Sequence, residues 1–168
     1  QYREGRTVRN EAGKQVKLTG KGVPSRNTAK GRAFQVESWI SYEYTTQELA
    51  YRLGIRTPRP YAQTGNGLLM EYLGDEEEAA PRLCEIEVSQ GEAQDLLDGL
   101  IEDIEKLLHG HRIHGDLSAY NLLAWDNQLY IIDFAQAVDP RQGDDSRTLL
   151  FRDVARVADA FKPYGAHI

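Results

Sequence analysis

From Ala93 onward, apolar residues recur three and four positions apart through Leu96, Leu97, Leu100, Ile101, Ile104, Leu107 and Leu108, one continuous stripe on a helix. Ser89 and Glu92 just ahead of it form a capping box, and Gly110 just after it is a helix stop. Helical spacing also runs from Gln35 to Leu53, where Trp39, Leu49, Ala50 and Leu53 are apolar, Tyr42 and Thr46 lie between, and Gly54 ends the run. This spacing puts Glu43 on the face of Trp39 and Ala50, and a carboxylate turned inward needs a cation. A third helix, capped by Asp145 or Ser146, carries Leu149, Leu150, Val154, Val157, Ala158 and Phe161 and ends at Pro163.

Between the helices the pattern changes to that of strands. Tyr61 to Thr64 and Leu68 to Leu73 are predicted to pair around Gly65-Asn66-Gly67, and Leu122 to Trp125 with Leu129 to Asp133 around Asp126-Asn127. Gly74 and the acidic run Asp75 to Glu78 read as the linker between two lobes. The expected organisation is a basic mobile segment over 1–33, the remainder of an N-lobe over 34–74, and a compact C-lobe over 75–168.

Composition narrows the class. With 168 residues the chain holds one domain or two small lobes on a shared core, and it contains no apolar run of membrane-spanning length. Charge is uneven: nine lysines and arginines against two glutamates fall in residues 1–33, and the remaining residues carry a net −13. Few apolar residues accompany those cations, so a solvated loop is expected, with an arm for RNA or the ribosome as the alternative. A lone cysteine, Cys84, can form neither an intrachain disulfide nor a cysteine metal site and is read as filler, which points to a cytoplasmic protein. No membrane association and a monomeric state are expected.

The chemistry lies between the long helix and the second hairpin. His114-Gly115-Asp116 leads through Ser118 to Asn121, and Ile131-Ile132-Asp133-Phe134 closes the next strand. Phosphoryl transfer needs a residue that orients the attacking hydroxyl and hard oxygen ligands that hold magnesium on the phosphates. An Asp, an Asn five positions later and a second Asp after a hairpin supply that set: Asp116 as base, with Asn121 and Asp133 as ligands of Mg2+ or Mn2+. Singly, each could be a turn former or strand terminator. His114 is expected to brace the loop, and His109, His111 and His114 share no helical face for zinc.

These residues resemble the catalytic and metal loops of the RIO-type atypical serine/threonine protein kinases. The resemblance extends over most of Trp39 to Phe161. Glu43-Tyr44 through Arg59-Pro60 is similar to the family's helix and its proline-bearing exit, Leu69 to Gly74 to its hinge, and Phe151-Arg152-Asp153 with Val157 and Phe161 to its last helix. Tyr2-Arg3-Glu4-Gly5-Arg6 resembles a segment of bacterial members. The resemblance implies an α+β, two-lobed protein-kinase-like fold of the compact RIO type, and ATP as cofactor with Mg2+. It also implies adenine contacts at Met70, Glu71 and Leu73, and Glu43 as the helix glutamate of the nucleotide site.

About a dozen residues separate Asp133 from the last helix, too few for the activation segment of ordinary protein kinases, and no Ala-Pro-Glu motif is present. Ser118 stands where those kinases place a lysine, so metal is expected to neutralise the transferring phosphate. No glycine-rich loop and strand lysine precede Glu43 recognisably. Thr19-Gly20-Lys21-Gly22 is expected to be a loop tip, and the lysine to lie before Gln1, which leaves the N-lobe incomplete. Two alternatives to a serine kinase or ATPase stand beside it. One is a small-molecule phosphotransferase of the aminoglycoside or choline kinase type, disfavoured by Asp116-Leu117-Ser118, Gln136 and the lack of an acidic insert. The other is a non-catalytic pseudokinase binding module, disfavoured by the intact Asp116, Asn121 and Asp133.

Overall fold

A computed structural model describes residues 7–9, 15–17, 28–65, 67–142 and 145–168. Three antiparallel two-stranded ribbons and three α-helices alternate along them: β1 (Thr7–Arg9), β2 (Gln15–Lys17), α1 (Ala29–Arg52), β3 (Pro60–Thr64), β4 (Gly67–Met70), α2 (Gln90–His109), β5 (Leu122–Trp125), β6 (Gln128–Ile131) and α3 (Ser146–Phe161). The expected loop tip Thr19–Gly22 and the segment Tyr2–Arg6 lie outside the described residues.

The helix expected from Gln35 starts earlier, at Ala29, because Thr28 accepts a hydrogen bond from the Gly31 N–H at 3.1 Å and caps it. The boundary drawn at residue 33 therefore falls inside α1, and the β1–β2 ribbon lies within the segment expected to be mobile. The buried face also differs from the apolar stripe. Trp39 is 39% exposed, whereas Tyr42, Thr46, Gln47 and Ala50 are buried. Three of those four are polar, and each is satisfied. Tyr42 Oη donates to the Ala137 carbonyl (2.9 Å), Thr46 Oγ1 to the Tyr42 carbonyl (2.8 Å) and Gln47 Nε2 to the Pro58 carbonyl (2.7 Å). Burial of hydroxyl and amide groups is tolerated when each finds a partner, and here the partners fix α1 onto the segments at 58 and 137.

The C-lobe follows its pattern closely. The Ser89–Glu92 capping box opens α2, and Ala93, Leu97, Leu100, Ile104 and Leu107 are buried beneath it. They share one core with Leu117, Leu122, Ile131, Phe134, Val157 and Phe161, so α2, α3 and the β5–β6 ribbon pack around a single apolar centre. Asp126 and Asn127 both take positive φ (50° and 55°), the geometry a two-residue hairpin turn requires. The acidic run after Gly74 is a closed turn: Asp75 Oδ1 accepts from the N–H groups of Glu77 (2.9 Å) and Glu78 (2.7 Å). Cys84 is exposed, so it fills no core space. No helix among the described residues is long and apolar enough to cross a membrane.

A buried carboxylate joins the α1–β3 connection to α2. Asp103, fully buried, accepts from Arg56 N–H (3.2 Å), Arg56 Nε (2.6 Å) and Lys106 Nζ (2.9 Å), and Arg56 also reaches the Gly99 carbonyl. The Arg56 carbonyl then accepts from the Ile131 N–H at 2.8 Å, which ties β6 to the same point. Removing a partner from such a group leaves the opposite charge without compensation. Asp103→Ala is expected to lower unfolding stability by about 3–5 kcal/mol, read as a reduced urea midpoint. Glu102→Ala, on the exposed side of the same helix, should leave the midpoint within about 0.5 kcal/mol of the parent.

Candidate active site

The site is built on a loop whose backbone cannot relax. Ile113 and Val138 exchange two hydrogen bonds (3.0 and 2.9 Å), which brings the 113–121 loop beside the segment after Asp133. Gly115 takes φ +80°, and a Cβ there would lie 2.5 Å from the Gln136 carbonyl oxygen, so the two strands of chain approach as closely as only glycine allows. From α3, the buried carboxylate of Asp153 accepts the Gly115 N–H (2.7 Å) through one oxygen and the Leu117 N–H (3.1 Å) through the other. Arg152 donates to the Gly115 carbonyl. Burial pushes the Asp153 carboxyl up, while the two N–H groups pull it down.

His114 holds the loop from inside. Its Nδ1 accepts the Asp116 N–H (3.3 Å), so Nε2 carries the proton and donates to the Ile132 carbonyl at 3.0 Å. Burial pushes its pKa down, and its ring packs against Phe134 with centroids 5.2 Å apart. A neutral, buried imidazole spanning residues 116 and 132 is a brace.

Asp116 emerges from this loop with its side chain 48% exposed, and Oδ1 accepts from Arg156 of α3 at 2.7 Å. Asn121 folds back so that Nδ2 donates to the Asp116 carbonyl (2.9 Å), which leaves its amide oxygen for another partner. The Asn121 carbonyl accepts from the Ile132 N–H (3.0 Å), which sets it next to the residue that precedes Asp133. Asp133 follows β6 in the left-handed conformation (φ 65°), outside the strand expected to contain it, and this turn leaves its carboxylate exposed. The Glu43 carboxyl of α1 is pushed up by burial and then by the charge of Asp133, and no cation pairs with Glu43 among the described residues.

The remaining expected residues fall at the end of β4, in the segment after it and, for Ser118, within the Asp116 loop itself. Met70 ends β4 with its sulfur 3.7 Å from Gln47 Nε2. Glu71 donates its N–H to the Arg59 carbonyl (2.8 Å), and the Leu73 carbonyl accepts from Ala80 (2.8 Å). Among the described residues the Glu71 carbonyl and the Leu73 N–H have no hydrogen-bond partner. Ser118 starts the 3-10 turn that contains Asn121, and its carbonyl accepts from the Asn121 N–H at 2.9 Å. No group of three or more His, Cys, Asp or Glu side chains suited to a metal occurs among the described residues. Asp153 and Arg156 were not among the residues expected here, because nothing local in α3 signals that its side chains reach a loop nearly forty positions earlier.

A family model, the RIO domain, matches residues 2–168. The chain belongs to the RIO domain family. It is 36% identical over 131 residues to the RIO-type serine/threonine-protein kinase Rio1 of Haloferax volcanii, a match covering 78% of this chain and 44% of that protein. It is 32% identical over 130 residues to Rio1 of Thermoplasma acidophilum, covering 77% and 67%. The chain therefore spans less than half of the first relative and about two thirds of the second. A Rio2 kinase–ADP/Mg2+–phosphoaspartate complex from Chaetomium thermophilum superposes with a TM-score of 0.68 at 23% identity, over 90% of this chain and 46% of that one. The shared fold is the two-lobed kinase-like α+β architecture of the RIO domain.

The loop geometry yields two expected outcomes. Asp153→Asn in this RIO domain can satisfy only one of the two N–H groups and should cost about 2 kcal/mol of stability, seen by urea unfolding. The His114 imidazole, lowered from its usual 6.5, takes up a proton less readily folded than unfolded. Its contribution is fully present above that value and is lost as pH falls below it. Urea midpoints measured from pH 7.5 to 5.5 should fall, and His114→Gln should flatten that dependence.

Proposed function

We propose that this RIO domain supports Mg2+-dependent phosphoryl transfer from ATP to a serine hydroxyl of a protein, with Asp116 as the orienting base. What supports this reading is that Asp116 and Asn121 share a loop locked by Asp153, and that the Asn121 carbonyl bonds the Ile132 N–H next to Asp133, whose charge adds to burial in raising the Glu43 carboxyl. Such an arrangement concentrates hard oxygen ligands and negative charge where a metal–nucleotide complex supplies positive charge.

Asn121, with its amide oxygen left over from the bond to Asp116, and Asp133, with an exposed carboxylate, are the residues that would hold Mg2+. Bound there, the metal would neutralise charge on the transferring group, a task Ser118 cannot share. Asp116 Oδ2 is the oxygen left to the acceptor hydroxyl, because Oδ1 is taken by Arg156. Arg156 thereby fixes the rotation of the carboxylate. The Glu71 carbonyl and Leu73 N–H would take the adenine edge, with Met70 beside it.

Relatives named as serine/threonine-protein kinases support a hydroxyl acceptor. The Rio2 complex holds ADP, Mg2+ and a phosphoaspartate, so transfer of the phosphoryl group to an aspartate followed by hydrolysis of that acyl phosphate by water, a net ATPase, is the second reading. A cytoplasmic location and an RNA or ribosomal partner for the basic segment 1–33 are proposals of lesser reach.

The test measures phosphate release from γ-labelled ATP, and label transfer to protein, with Mg2+ or Mn2+. Asp116→Asn should lower turnover by about 10²-fold or more while leaving protection of the fold by Mg2+–ADP in place. Asp133→Asn should remove that protection. Equal turnover in the parent and Asp116→Asn proteins would sink the assignment.

A further inference from the structure

At the Trp125 end of the β5–β6 ribbon lies an open trough of about 450 Å³. It runs between the 81–88 segment, the first turns of α2 and the tip of the β5–β6 hairpin. Along β5, Trp125 is four residues from Asn121, roughly 13 Å at a strand's rise per residue, so the trough is no part of the phosphoryl-transfer site.

Its floor is apolar: Ile86, Val88, Leu96, Ala124 and Trp125 line it, and each stays only partly buried. Its rim is acidic: Glu87 from the loop, Glu92 and Asp95 from α2, and Asp126 from the hairpin. Among the described residues no lysine, arginine or histidine lines it. Glu92 is committed to the helix cap, whereas Glu87, Asp95 and Asp126 form no ion pair among the described residues.

The walls are held in place without a ligand. Ala124 donates its N–H to the Pro81 carbonyl (2.8 Å), Tyr164 Oη bonds the Ile86 carbonyl (3.3 Å), and the hairpin tip is a two-residue turn. A preformed cleft of this size, with a partly buried tryptophan on its floor, has the make-up of a binding site.

We propose that this trough docks an extended segment of a partner protein that carries arginine or lysine on either side of apolar residues. Charge complementarity selects the occupant. The three unpaired carboxylates stand on three different elements, so a compact cation would meet one or two of them, while a chain with several basic side chains meets all three as its apolar residues cover the floor. The same field repels nucleic acid.

A Trp39→Phe protein keeps Trp125 as its one tryptophan and reports the floor directly. The probe is a synthetic peptide with arginines flanking a pair of leucines, titrated in dilute salt. Saturable binding with a blue shift of Trp125 emission is expected. Glu87→Lys combined with Asp95→Lys should weaken binding at least about tenfold, and replacing the leucines by serine should do the same. Added salt should weaken it further. Both acidic positions are exposed, so the urea midpoint of the double variant should match the parent. The proposal fails if no saturable binding occurs, if the double variant binds as well as the parent, or if Trp125 does not respond. It also fails if spermine or the serine peptide binds as tightly as the leucine peptide, which would leave a purely electrostatic patch.

Discussion

Everything proposed for the reacting centre depends on one buried carboxylate accepting two backbone N–H groups. Asp153 lies on α3, yet its two oxygens define the course of the chain at Gly115 and Leu117, on either side of Asp116. Hydrogen bonds to a charged acceptor are stronger than neutral ones and tolerate little angular error. A loop that might otherwise sample many paths is held to one, and the side chain between the anchors projects into solvent in a single direction. His114 works from the opposite side, linking Asp116 to Ile132, so the Asp116 loop and the Asp133 loop form one unit.

A second buried acid, Asp103, does for the lobes what Asp153 does for the loop. Its bonds to Arg56 and Lys106 draw the exit of α1 onto α2, and the Arg56 carbonyl extends the contact to β6. Tyr42 adds a third tie by donating from α1 to Ala137, four residues after Asp133. These ties hold α1, which carries Glu43, against the segment that follows Asp133, and burial together with the charge of Asp133 raises the Glu43 carboxyl.

How far these features were legible can be read from particular residues. The α2 stripe and its capping box were legible because apolar periodicity and capping are local and act at full strength in a helix that buries one face. The Asp126-Asn127 turn was legible because few residue pairs accept positive φ twice. Asp116, Asn121 and Asp133 were legible as an ordered set of chemically suited side chains. The face of α1 was not, since a helix whose buried residues are Tyr42, Thr46 and Gln47 shows no apolar stripe, and their partners at 58 and 137 lie far along the chain. Gly74 and the acidic run Asp75 to Glu78 read as a linker between lobes, and only the structure shows that Asp75 closes this stretch into a turn through its own backbone neighbours.

The sequence by itself determined the helices of the C-lobe and both predicted hairpins, because each rests on short-range periodicity or turn stereochemistry, and it supplied the side chains proposed to react through their functional-group chemistry. Tertiary structure alone decided which carboxylates do structural work and which stand open. Asp103, Asp116, Asp133 and Asp153 are chemically identical. The first and last are buried against donors from distant segments, and the middle two are left exposed by the turns that carry them. The acidic trough beside Trp125 arises in the same way, from three elements that meet only when the core closes, since the electrostatic character of a surface is a property of proximity in space and not of order along the chain.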